Sequence, residues 1–111
     1  MIFERGDIFI SSIGGINGKP RPWIIVQANI LNNNLFTTLA APLTSIVELM
    51  QEDFRPVIKP TKINMLEMPS QIMLDRISVI NVKDITKKIG TLSTKELHTL
   101  NQSLALVLGI L

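Results

Sequence analysis

The chain contains no cysteine and a single histidine, His98, among its 111 residues. Without thiols there can be no disulfide, thiolate metal site or cysteine nucleophile, and the composition fits a reducing compartment, so the cytoplasm is the expected location. One imidazole excludes most zinc chemistry, which draws several ligands from His and Cys. No metal and no cofactor is expected. Aromatic residues are scarce, four Phe and one Trp with no Tyr, so the core has to be built from Ile, Leu and Val. No apolar run reaches the roughly 18 residues that cross a bilayer, and nothing resembles a charged-then-apolar leader, so no membrane partner is expected. Repeats and low-complexity segments are also missing. The length suits one domain over residues 1–111.

Charge is modest, a net +2, but unevenly spread. Up to Asp53 there are three basic residues, Arg5, Lys19 and Arg21, against five acidic ones; beyond it eight basic residues face four acidic. Such a surface fits a polyanion partner, and fits an ordinary solvated basic face equally well.

Periodicity gives a mainly β reading. "GDIFISSI" alternates as a first strand, and "SSIGGINGKP" is a Gly-rich loop. "PWIIVQ" is continuously apolar, as a strand buried on both faces would be. "NILNNN" is turn chemistry, and "LFTTLAAPL" is a third strand brought to an end by Pro42. "TSIVELMQED" reads as a short helix or a wide loop, and "FRPVIKP" as a short edge strand between prolines. "SQIMLDRISVINV" alternates, with Ile72 and Leu74 on one face and Gln71, Met73 and Asp75 on the other. Finally, Ser93 and Glu96 form a capping box before an apolar stripe of Leu97, Leu100, Leu104, Val107 and Leu108. His98 falls on the polar face of that helix, so no Ser–His–Asp set can be assembled around it. The expected architecture is mainly β, a small barrel of antiparallel strands closed by a C-terminal α-helix.

Three polar positions sit where strands meet loops. In "GKPRPWIIVQ" two prolines clamp Arg21, which is stiffer than a solubilising charge requires; its planar fork suits phosphate or carboxylate. In "AAPLTS" the hydroxyls of Thr44 and Ser45 follow directly on a strand, where they serve either a ligand or the capping of the next turn. Asp75 is a candidate acid or base, or a surface carboxylate paired with Arg76. Arginine, hydroxyl and carboxylate together can stabilise a phosphorane-like transition state and assist proton transfer without a metal. RNA, with its internal 2′-hydroxyl nucleophile, is the substrate such a set suits.

"RGDIFI", "GKPRPWIIVQAN", "AAPLTS", "LDRISVIN" and "LALVLGIL" follow one another in the order and spacing of the MazF/PemK (Kid) family, and the chain resembles it over its whole length. These are toxins of bacterial toxin–antitoxin pairs. The resemblance implies an SH3-like barrel, a homodimer, a cognate antitoxin, and metal-independent cleavage of single-stranded RNA at short sequences through a 2′,3′-cyclic phosphate. Any DNA contact would be made through the antitoxin complex. It also implies roles. Arg21 matches the catalytic arginine, Thr44 the threonine beside the scissile phosphate, and Asp75 a position held by Asp or Glu. Lys19, Pro22, Ser45, Met73 and Arg76 are the RNA-contacting positions expected around them. The chain departs from the pattern at Met73, where the Kid branch has an active-site arginine, and at Ser78, where many members have another; Arg76 is the nearby substitute. The rival readings are a CcdB-like, non-enzymatic gyrase poison of the same fold, which does not need the Pro-flanked arginine, and an inactive relative that only binds antitoxin.

Overall fold

The structure, a computed structural model, describes residues 3–11 and 20–110. Seven strands form one antiparallel sheet: β1 (Asp7–Ser11), β2 (Arg21–Ile25), β3 (Thr37–Thr44), β4 (Val57–Ile58), β5 (Ser70–Ile72), β6 (Ser78–Asn81) and β7 (Ile85–Thr91). The order is β4-β5-β3-β2-β1-β7, with β6 also paired to β3. A one-turn helix, α1 (Asn29–Asn32), follows β2, and the long helix α2 (Thr94–Leu108) closes the chain. The expected antiparallel barrel with a C-terminal helix is therefore present as a half-barrel.

Alternation along the strands builds a core on each face of the sheet. Ile8, Ile24, Ala41, Leu43, Ile72 and Leu74 pack on one side, where Leu97, Leu100, Leu104 and Val107 of α2 cover them. Phe9, Trp23, Ile25, Ala40, Ile80 and Ile85 pack on the other. β2 lies between β1 and β3, as the apolar run of "PWIIVQ" requires. The capping box of α2 is formed in both directions: Glu96 N–H donates to Ser93 Oγ at 3.1 Å and Ser93 N–H to Glu96 Oε1 at 2.9 Å. His98 is exposed beside Gln102, on the polar face. Leu108, at the end of the apolar stripe, is exposed.

Three further expectations are corrected. Pro42 does not end its strand; β3 continues to Thr44. One edge of β3 pairs with β6 up to Ala40 and with β5 from Leu43, so Pro42 sits at the gap between two partners, where a missing N–H is tolerated. Its carbonyl accepts from Met73 N–H at 2.9 Å. "SQIMLDRISVINV" is not one strand: a 3₁₀ turn at Leu74–Arg76 breaks it into β5 and β6, closed by Arg76 N–H to the Met73 carbonyl at 3.0 Å. The turn takes up a shift of register: Leu43 pairs with Ile72 but Ala40 with Ser78, so this segment has more residues between the two pairings than β3 has. Met73 and Asp75 therefore do not share a face: Met73 is only 4% exposed, while Asp75 is on the surface. "TSIVELMQED" is a loop holding a 3₁₀ turn at Leu49–Gln51, "NILNNN" contains α1, and β7 answers to no expected strand.

Candidate active site

A cleft of about 1110 Å³ opens where β2 begins and β3 ends. Arg21 and its flanking prolines form one side, with Arg21 paired across the sheet to Ser11 of β1. Trp23 pairs with Pro42 across β2 and β3, and beyond that pair Arg21 and Thr44 both line the cleft. The guanidinium has no hydrogen bond or ion pair with any described residue. Thr44 Oγ1 accepts from Ile46 N–H at 3.2 Å, the capping role, which leaves its own hydrogen free to donate. Ser45 lines the cleft beside it, and Lys87, opposite Ile10 across β1 and β7, adds a second cation.

Met65, Leu66, Glu67, Met68 and Ser70 form another wall, held by a polar anchor that is itself buried, Asn64. Its Oδ1 accepts from Thr61 N–H at 2.9 Å and Leu66 N–H at 3.0 Å. Its Nδ2 donates to the Lys59 carbonyl at 2.9 Å and to Glu96 Oε2 of α2 at 3.2 Å. Thr91 N–H of β7 donates to the Ile63 carbonyl at 3.1 Å. Gly90 permits this approach: a Cβ there would lie 2.4 Å from the Asn64 carbonyl oxygen. A satisfied buried network of this kind fixes the loop, and with it the cleft wall.

Of the residues marked by sequence, Arg21, Pro22, Thr44 and Ser45 meet at this cleft. Asp75, Met73 and Arg76 are not among the residues lining it. Arg55 grips Asp75 through Nε to Oδ1 and Nη2 to Oδ2, each at 2.7 Å. Those hydrogen bonds hold the Asp75 carboxyl below its ordinary range, and the same contact raises Arg55 above its own. Met73 is buried and so cannot meet RNA from where it stands. Arg76 is exposed on the 3₁₀ turn. Lys19 lies outside the described residues. Sequence reasoning missed Glu67, Lys87, Met65 and Met68, all of which line the cleft. Nothing local marks them, since long-range pairing brings them there.

A half-barrel sheet with a helix, carrying a mouth of arginine, lysine and hydroxyls, defines a small β-barrel protein with a cleft suited to an anionic ligand. Residues 4–108 match the model of one family, described as PemK-like, MazF-like toxin of type II toxin–antitoxin system. The chain belongs to that family. It is 28% identical over 108 residues to the "Probable endoribonuclease MazF" of Mycolicibacterium smegmatis, covering 96% of this chain and 97% of that one. It is 24% identical to the endoribonuclease EndoA of Bacillus subtilis, covering 100% and 98%. A solved endoribonuclease in complex with its cognate antitoxin, from a mycobacterial species, has the same fold, with a TM-score of 0.83 at 20% identity over 98% and 97% of the two chains.

Proposed function

We propose that the chain is an endoribonuclease toxin that cuts single-stranded RNA at short sequences, without a metal, and is neutralised by a cognate antitoxin. The observation that carries this reading is Arg21, without a partner among the described residues, in an open cleft that Thr44 also lines. The relatives named as endoribonucleases support the reaction class. The 2′-hydroxyl of the substrate attacks the adjacent phosphorus. As that P–O bond forms, the bond to the 5′ oxygen breaks, leaving a 2′,3′-cyclic phosphate; water in the open cleft takes the first proton and supplies the second. Arg21 offers two parallel N–H bonds to the non-bridging oxygens, whose charge grows in the transition state. Its role is electrostatic, meeting the charge as it develops on the phosphate. Thr44 donates its free hydrogen to the same phosphate, and Lys87 adds charge. Among the described residues no three His, Cys, Asp or Glu gather to hold a metal ion.

The working unit is a homodimer in the cytoplasm. Leu106, Leu108 and Ile110 at the end of α2 remain exposed, as do the paired Leu39 and Val79, and an apolar surface of this kind is usually covered. No helix among the described residues is long and apolar enough to cross a membrane. The antitoxin would compete with RNA through an acidic disordered segment.

Digestion of RNA by the pure protein in excess EDTA tests the reading. Cleavage should persist, with cyclic phosphate ends by mass spectrometry. Loss of cleavage on chelation with recovery on Mg²⁺ refutes the metal-free route, and a protein that leaves RNA whole under every condition refutes the enzyme. Light scattering at micromolar concentration should give a dimer mass; a monomer would remove that part.

A further inference from the structure

Glu67 is the carboxylate among the residues lining the cleft, and it makes no hydrogen bond or ion pair with any described residue. The backbone that carries it is nevertheless anchored on both sides. Asn64 fixes Leu66 N–H on one side of it, and on the other Ser70 Oγ donates to the Met68 carbonyl at 3.0 Å. Met65 and Met68 flank it on the same lip, 58% and 53% exposed. Met65 keeps a long side chain at φ +57°, where glycine would be the unstrained residue. An exposed carboxylate on an anchored loop, between two exposed thioethers, calls for a ligand with a hydrogen-bonding edge and a flat apolar face.

The geometry points to a nucleobase subsite formed by Met65, Glu67 and Met68, which takes guanine from the single-stranded RNA whose phosphate lies at Arg21 and Thr44. The inference rests on the endoribonuclease reading and adds a determinant of where the RNA is cut. A carboxylate only accepts hydrogen bonds. Guanine presents two adjacent donors on its Watson–Crick edge, N1–H and an N2 amino hydrogen, which one carboxylate accepts together. Adenine and cytosine offer one amino donor beside a ring nitrogen that repels it, and uracil sets carbonyl oxygens on both sides of its single N–H. Unstacked bases of single-stranded RNA are read on this edge while their faces rest on protein side chains. Thioether sulfur is a favourable, adaptable surface for an aromatic face.

The test compares the parent with Glu67→Gln. In Gln an amide N–H₂ replaces one acceptor, so the paired guanine donors lose their match. A random-sequence RNA library is digested with each protein and the cut sites are sequenced. The parent should show one position enriched in guanine, and the variant should lose that enrichment by about tenfold or more, the size of a good bidentate contact. In parallel, uncleavable 2′-deoxy versions of the best site are measured by fluorescence anisotropy. Replacing that guanine by inosine, which lacks the N2 amino group, should weaken binding to the parent about fivefold or more and leave binding to the variant unchanged. Cleavage without guanine enrichment, or with identical profiles in both proteins, overturns the subsite and leaves the endoribonuclease standing. A protein that neither cuts nor binds any of these RNAs overturns both.

Discussion

Two surfaces of the molecule treat their polar groups in opposite ways. Between Arg55 and Asp75, each charged group meets the other at 2.7 Å through two bonds, and each charge is balanced within the protein. At the cleft Arg21 and Glu67 have no partner among the described residues, although Thr44 and the Asn64 loop around them are firmly hydrogen-bonded. A charge satisfied inside the protein holds shape. A charge left open on an anchored stretch of backbone is available for binding. By residue type alone Asp75 and Glu67 are equivalent; by their surroundings they are not.

The contrast breaks first at Arg21. Arg21→Ala should fold normally by circular dichroism and lose about 10²–10³-fold in RNA cleavage, the scale of removing a transition-state donor. Arg21→Lys should lose most of that activity too, because charge without the bidentate fork is insufficient. Parent-like cleavage by folded Arg21→Ala would remove it from the chemistry.

Gly90→Ala tests the frame instead of the mouth. Its Cβ would meet backbone atoms of Asn64 and Ile63, which cannot swing aside as a side chain does. The cost should be about 1–3 kcal/mol of stability, read as a lower Tm in thermal melts. A variant as stable as the parent would show that the loop is looser than its hydrogen bonds suggest.

Thr44→Val separates the two roles of one hydroxyl. It removes the acceptor for Ile46 N–H and the free donor together, and should slow cleavage about three- to tenfold, the worth of one ordinary hydrogen bond. Kinetics on a single oligonucleotide, with the melt recorded beside it, checks this. A drop in Tm with no change in rate would leave the hydroxyl a purely local cap.

The smallest effect is expected at the pair. Asp75→Asn should cost less than about 1 kcal/mol, as for other solvent-facing ion pairs, and should leave cleavage intact. Because Arg55 lowers the folded-state value of Asp75, the pair stabilises fully above the ordinary carboxylate value of 3.8 and loses that contribution as pH falls through the lowered one. Denaturation curves of parent and variant should thus differ by a constant amount at neutral and mildly acid pH and converge at strongly acid pH. Cleavage lost in folded Asp75→Asn would return this carboxylate to the reaction.

Legibility followed the range of the forces involved. The capping box, the stripe on α2 and the buried run of β2 are set by residues within a few positions of one another, and local pattern displayed them. The prolines beside Arg21 are local too, and they marked a residue that the fold does place at the cleft. Alternation failed in "SQIMLDRISVINV" because two short strands must both reach one edge of β3, a demand that no window of sequence contains. It failed for the same reason at β7, whose partner β1 lies at the other end of the chain.

The sequence by itself determined the chemistry available: an aliphatic core, no thiols, one imidazole, and an arginine stiffened by its neighbours. Only the tertiary structure decided which carboxylate is open. Asp75 is neutralised by Arg55, twenty residues away along the chain, while Glu67 is carried to the cleft by a loop that Asn64 ties to a helix thirty-two residues further on. Hydrogen bonds and ion pairs depend on distance in space, and the fold sets that distance.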